Sequence, residues 1–228
     1  MGRLMPRFAA NLAFLFTERP LLERFAAAAA AGFKAVELQF PYDHPPSAIK
    51  AEIDRNGLTM LGVNTRAGEE AGLAAVPGRE RDFAARFTEA LDYVVAIGGR
   101  SIHCMAGTVL PEQRPAAERI FIANLTRAAD IAAVDRPNVR MQFDFYHAQI
   151  VGGDLITRFT KLLPFVGHVQ VAAVPSRAEP DEGEVNYPAI FSALDRLGYS
   201  GWVGCEYKPR GRTEDGLAWG RAFGLHSG

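Results

Sequence analysis

Apolar and polar positions along this chain switch repeatedly between two periods. Residues 19–31 are rich in alanine, with Leu21, Leu22 and Phe25 at helical spacing, and Gly32 follows as a stop. The run 34–40 then reads as a short apolar strand. The unit recurs. Ser47 can cap a helix carrying Ile49 and Ile53, which stops at Gly57 before the strand 58–63. Asp82 opens a third helix with Phe83, Phe87, Leu91 and Val94 on one stripe, ended by Gly98 and Gly99 before the strand 100–105. Residues 155–165 lead through Gly167 into 168–172, and 186–197 lead through Gly198 into 202–207. With 7–14 and 139–144, this makes seven predicted strands.

The stretch Val139-Arg-Met-Gln-Phe-Asp-Phe-Tyr-His147 breaks the apolar pattern. Alternation sends Met141 and Phe143 one way, and Gln142 and Asp144 the other. The plain reading is an edge strand with a solvated face. The functional reading is a strand that ends in a ligand crevice, with Asp144 as a metal ligand or base and His147 as a substrate donor from the following loop.

Helices alternating with short strands predict parallel pairing with right-handed crossovers. Glu37, Asn64, His103, Asp144, Gln170 and Glu206 fall at or near the ends of different strands. That distribution predicts a TIM-like (β/α)8 barrel spanning residues 1–228 as one domain, rather than a doubly wound sheet, which would gather them at one switch point. No glycine-rich phosphate loop is present. Seven strands are one short of closure. The shortfall lies where the predicted helix 117–133 runs through Val134-Asp-Arg-Pro-Asn138 directly into the strand 139–144.

Composition narrows the function classes. The chain has 228 residues, 48% hydrophobic and 22% charged, with a net charge of −1. That balance offers no basic footprint for nucleic acid or an anionic membrane, and no apolar run is long enough to cross a bilayer. Cys104 and Cys205 match no ligand spacing and read as reduced, buried thiols of a cytoplasmic protein. Asp144, Gln170 and Glu206 are oxygen donors suited to a hard divalent cation, Mg2+ or Mn2+.

Glu206 is the candidate catalytic carboxylate, able to take a proton from a carbon next to a carbonyl. Its structural alternative is a salt bridge to Lys208 or Arg210. Arg177 could hold a substrate carboxylate with its fork of donors, or simply pair with Glu179 or Glu182. His147, His103, Glu37 and Lys208 complete the candidate substrate-binding set. His103 could equally be a bonded core histidine, and Glu37 could be paired with a basic residue across the fold.

Seven segments together resemble the hydroxypyruvate isomerase family of xylose-isomerase-like barrels, which includes 2-oxo-tetronate isomerases. They are Arg7 to Phe16, Phe40-Pro-Tyr-Asp43, Val76-Pro-Gly-Arg-Glu80, Gln142-Phe-Asp-Phe-Tyr-His147, Gly167-His-Val-Gln170, Gly183-Glu-Val-Asn-Tyr187 and Gly204-Cys-Glu-Tyr-Lys-Pro209. The resemblance runs from about Arg7 to Gly224. It implies aldose–ketose isomerisation of a small hydroxy-oxo acid, hydroxypyruvate to tartronate semialdehyde, through a metal-stabilised enediolate. It places Asp144, Gln170 and Glu206 at metal-site positions, Glu206 at one of two catalytic glutamates, and His147 and Arg177 at substrate contacts. It also exposes departures. The family's strand bearing the second catalytic glutamate is missing, a loss of about 30 residues, near one strand–helix unit. The loop 65–72 and the loop after Gly107 are also short. The expectation is a chain with a piece lost from its middle, leaving an isomerase or an impaired sugar-acid-binding relative. Glu37 is the candidate replacement acid. Homo-oligomerisation stays open.

Overall fold

A computed structural model describes residues 6–132 and 139–226. The predicted join Val134–Asn138 lies outside the described residues. The chain divides into two compact units. One comprises Met1–Glu37, Glu52–Thr59 and Arg140–Gly228, the other Leu38–Ala51 and Met60–Val139.

The strands are β1 (Arg7–Asn11), β2 (Ala35–Glu37), β3 (Thr59–Met60), β4 (Gly62–Asn64), β5 (Ser101–His103), β6 (Met141–Asp144), β7 (Val166–Val171) and β8 (Trp202–Cys205). The helices are α1 (Leu21–Ala30), α2 (Pro46–Arg55), α3 (Glu80–Ala96), α4 (Arg114–Ile131), α5 (Phe145–Gly152), α6 (Leu155–Leu162) and α7 (Tyr187–Arg196). A six-stranded sheet has the order β3-β2-β1-β8-β7-β6, and β4 pairs with β5 in a second sheet. The ladders β1–β2, β1–β8, β6–β7, β7–β8 and β4–β5 are all parallel. All seven predicted strands appear, each shorter than expected at one or both ends, while 168–172 begins two residues earlier and 58–63 runs one residue further. The predicted strand 58–63 is two pieces, broken at Leu61, so the count of eight does not restore a missing unit. β6 ends the larger sheet and β5 ends the smaller one.

The glycine stops at Gly32, Gly57, Gly98 and Gly198 take positive φ as expected, whereas Gly167 lies inside β7. Phe33 N–H reaches Ala28 O at 3.1 Å and Gly32 N–H reaches Ala29 O at 3.1 Å, closing α1 with Gly32 at φ +94°. The same pair of bonds closes α7, from Tyr199 to Leu194 and from Gly198 to Asp195. Helix starts moved. Ser47 is not the cap of α2, because Pro46 already occupies the first helical position, where its lack of an N–H costs nothing. α3 begins at Glu80 rather than Asp82, and α4 at Arg114.

In the first unit, alternation divides the large sheet into an apolar and a polar face. Phe8, Ala10, Val36, Phe143, Val169, Val203 and Cys205 are buried on one side. Phe8 meets Phe191 of α7 edge-on at 5.2 Å and Trp219 at 5.1 Å. Phe143, Phe145 and Phe159 stack under β6 at 4.9 and 5.3 Å from Phe143. Such ring pairs add about 0.5–1.5 kcal/mol each beyond simple burial. In the second unit, Leu73, Ala74, Phe83, Phe87 and Ala128 form the core between α3 and α4. The buried Asn124 amide donates to Ala74 O at 2.9 Å there. Both cysteines are free, Cys205 buried and Cys104 half-buried. Among the described residues no helix is long and apolar enough to cross a membrane.

Candidate active site

The polar face of the first unit's sheet carries the candidate chemistry, and strand register explains why. Gln142 is opposite His168, and Asp144 is opposite Gln170. Gln170 is opposite Gly204, which is opposite Ala9, and Asn11 is opposite Glu37. Residues two apart on a strand share a face. Glu206, two positions beyond Gly204, therefore continues the same side. Small residues at Ala9, Ala35 and Gly204 leave room above the backbone, and the Glu37 carboxylate fills it. A Cβ at position 204 would lie 2.6 Å from Glu37 Oε1.

The side chains form one connected network. Gln142 Nε2 donates to Gln170 Oε1 at 2.6 Å, and Gln170 Nε2 donates to Glu37 Oε1 at 2.8 Å. Asn11 Nδ2 donates to Glu37 Oε1 at 3.0 Å and reaches Glu206 Oε1 at 3.5 Å. His168 Nε2 lies 2.7 Å from Glu37 Oε2. That contact is a charge pair with poor hydrogen-bond alignment, since Nε2 makes no bond of good geometry. Arg177 Nη2 donates to Glu206 Oε2 at 2.6 Å. The guanidinium lies between the rings of Phe14 and Tyr146, 5.0 and 5.2 Å from their centres. Its Nε is buried without a partner.

Three carboxylates, Glu37, Asp144 and Glu206, and two cations, His168 and Arg177, thus influence one another's charge on this face. Burial by itself would raise Glu37, but the close His168 charge and the bonds from Gln170 and Asn11 outweigh it and hold this carboxyl below the usual range. Burial pushes His168 down, and the charges of Glu37, Glu206 and Asp144 carry it above its ordinary value. Glu206 goes the other way from Glu37. Burial and the negative charges of Glu37 and Asp144 push it up to about 7, against the opposing pull of Arg177. Burial also raises Asp144, although the His147 charge and the Tyr146 and His147 N–H groups act to lower it.

Asp144 is also the N-cap of α5. Its Oδ1 accepts from Tyr146 N at 2.8 Å and His147 N at 3.4 Å. His147 therefore sits in the first turn of a helix, not in a loop, because the capped turn makes a helix start of the residues after Asp144. Its exposed ring lies 3.6 Å from Asp144 Oδ2. Glu206 pairs with Arg177, and Arg210 pairs with Glu179, Asp181 and Glu182. Lys208 has an exposed side chain, and its backbone N–H donates to Arg177 O at 2.7 Å. His103 lies in the second unit on β5, half-buried and in register with Asn64. The edge-strand reading of 139–144 holds, since β6 ends its sheet, although Gln142 and Asp144 are half-buried in polar contacts rather than on a solvated face. Asn11 and His168 were not singled out from sequence. The available signal was a polar residue closing a buried strand, and a histidine two positions before Gln170.

Among the described residues, no three His, Cys, Asp or Glu side chains gather as a metal cluster. Asp144, Gln170 and Glu206 nevertheless present oxygen donors from neighbouring strand ends on one face. Mg2+ is commonly held by one or two carboxylates, with waters completing the octahedron. In this structure Gln142 holds Gln170 Oε1, the Tyr146 and His147 N–H groups hold Asp144 Oδ1, and Arg177 holds Glu206 Oε2, so a cation here would draw on the second carboxylate oxygens and on lone pairs those bonds leave free.

A sequence profile of the family described as xylose isomerase-like TIM barrel matches residues 25–135 and 131–223. The two matches overlap at residues 131–135. The 2-oxo-tetronate isomerase of Pectobacterium atrosepticum is 44% identical over 253 aligned positions, covering 94% of this chain and 97% of that protein. Of 228 residues, 94% is about 214, so about 39 of those 253 positions have no residue here. The hydroxypyruvate isomerase of Escherichia coli is 35% identical, covering 94% of this chain and 98% of that one. A crystal structure described as AP endonuclease, family 2, from Brucella melitensis superposes with a TM-score of 0.92 at 43% identity, covering 96% of this chain and 99% of that one.

Proposed function

The chain belongs to the xylose isomerase-like TIM barrel family, and from that premise we propose that it isomerises a short hydroxy-oxo acid by moving a proton between adjacent carbons. The relatives support a sugar-acid isomerase in general. For the substrate, hydroxypyruvate is the three-carbon reading. The higher identity to 2-oxo-tetronate isomerases, 44% against 35% for the E. coli hydroxypyruvate isomerase, favours the four-carbon acid. A net charge of −1 supports a small acid over a nucleic acid.

The observation that carries the proposal is the Glu206–Arg177 pair. Glu206 is buried, titrates near neutrality and is held at 2.6 Å by a fixed cation. A base poised near the working pH is what reversible carbon deprotonation requires. Arg177 keeps an unpartnered Nε, a donor for a substrate carboxylate. With the substrate so held, Glu206 takes the proton from the hydroxyl-bearing carbon, and the C–H electrons form the enediolate double bond. Protonated Glu206 then delivers that proton to the neighbouring carbon, while the hydroxyl proton passes between the two oxygens. Mg2+ or Mn2+ held by Asp144, Gln170 and Glu206 would polarise those oxygens as a Lewis acid.

Glu37 does not suit the role of a second base. Two amide donors and the His168 charge hold it ionised, so it serves as that cation's counter-charge. One carboxylate must then carry the proton both ways, which supports a slow enzyme. The test is a coupled assay of hydroxypyruvate and 2-oxo-tetronate isomerisation with added Mg2+ or Mn2+, on the wild type and Glu206→Gln. Turnover that survives Glu206→Gln would overturn the assignment of Glu206. No turnover of either acid would overturn the isomerase reading of this chain.

A further inference from the structure

The loop after β7 and the loop after β8 are joined by one side chain. Glu179, two residues beyond Arg177, is buried and accepts from Arg210 N at 3.2 Å and from Arg210 Nε at 2.9 Å. The remaining arms of the same guanidinium reach Glu182 Oε2 at 2.7 Å and Asp181 Oδ1 at 2.8 Å. Glu179 lies so close over the Gly216 backbone that a side chain there would collide with it. A second tie is made by the backbone, where Lys208 N–H donates to Arg177 O at 2.7 Å. Between these ties, Arg177 N–H bonds Ala173 O at 2.7 Å and Ala173 N–H bonds Ala178 O at 3.0 Å, with Arg177 held at φ +56°. A residue held left-handed without being glycine needs its surroundings to keep it there.

We propose that Arg210 is a positioning residue: by clasping Glu179, Asp181 and Glu182 it fixes the loop that aims Arg177 at Glu206. This rests on the reading of Glu206 and Arg177 as the working pair. Arg210 itself is bonded to Glu179, Asp181 and Glu182 and is nearly half exposed. Its three carboxylate partners belong to one short segment, 179–182, so it acts as a rivet between loops rather than as one isolated surface pair. A planar fork meets several carboxylates at once where an ammonium would not.

The experiment is a double-mutant cycle of Arg210→Ala with Arg177→Ala, read in kcat and KM and, without turnover, in the calorimetric affinity for tartronate, a hydroxy diacid with no carbonyl to isomerise. Misplacement of a binding group by about 1 Å can cost about 100-fold, so Arg210→Ala is expected to lower kcat or tartronate affinity about 10- to 100-fold in the wild-type background. In the Arg177→Ala background it is expected to change either by less than about twofold. Arg210→Lys, which keeps the charge without the fork, should fall between. A general structural role would cost the same in both backgrounds, and that result overturns the proposal. So does unchanged hydrogen exchange at the Arg177 and Ala173 amides in Arg210→Ala, whatever the chain turns over. A wild type that binds tartronate with the expected non-additivity but isomerises nothing would sink the isomerase reading and leave the clasp standing.

Discussion

Replacing Glu206 by glutamine should change how stability depends on pH, and the size of the change follows from its surroundings. The carboxyl moves from an ordinary 4.5 to about 7 because burial and the charges of Glu37 and Asp144 disfavour its ionised form more than Arg177 favours it. In the unfolded chain it has its ordinary value. Between about pH 4.5 and 7 the folded state therefore keeps a proton that the unfolded state releases, so stability falls as pH rises through that window and levels off above it. A shift of about 2.5 units at 1.36 kcal/mol per unit amounts to about 3 kcal/mol. Glutamine has nearly the same shape and never ionises. The variant and the wild type should lie within about 1 kcal/mol of each other at pH 5, and the variant should be more stable by about 3 kcal/mol at pH 8. The Asp144 shift occurs in both proteins, whereas the His168 shift is smaller in the variant because Glu206 is one of the charges that raise it. The assay is urea unfolding followed by circular dichroism at pH 5, 6, 7 and 8 in the presence of a chelator, with equal slopes required of both proteins. Parallel stability curves would show that Glu206 titrates as an ordinary carboxylate, and a gap that opens towards acid pH would reverse the electrostatic argument.

Gly204→Ala would set a methyl group 2.6 Å from Glu37 Oε1, and the carboxylate cannot retreat without leaving His168. A loss of about 1–3 kcal/mol is expected, and an unchanged melting temperature would count against Glu37 resting on that backbone. Asp144→Ala should cost about 1 kcal/mol through loss of the α5 cap, and Asp144→Asn should restore most of it. Equal losses in the two variants, by thermal denaturation in chelator, would point to the charge rather than the cap. Excess Mn2+ should raise the melting temperature of the wild type and not that of Glu206→Gln, since only a ligand that prefers the folded state stabilises it. Equal shifts would place the ion elsewhere.

Period and punctuation in the sequence determined the strands, the helices and their glycine stops, because each depends on residues a few positions apart. The alternation at 141–144 likewise told which side chains share a face. The family segments pointed to Asp144, Gln170, Glu206 and Arg177, and the register of β6, β7 and β8 sets the first three at neighbouring strand ends. What each residue does with its neighbours was another matter. Nothing local says that Arg177 will choose Glu206, 29 positions away, over Glu179, or that Glu179 will be claimed by Arg210. Those choices depend on which loop tips the strand order β1-β8-β7-β6 makes adjacent. The α5 helix was invisible because its first turn depends on one side chain, Asp144, which the strand pattern had already used. Glu37 and Glu206 are the same residue type at comparable strand ends. One is held ionised and the other is pushed towards neutrality, because His168 stands beside the first and the negative charge of the first is felt by the second. Proton affinity in a buried site is a sum over neighbours, and only the tertiary fold chooses the neighbours.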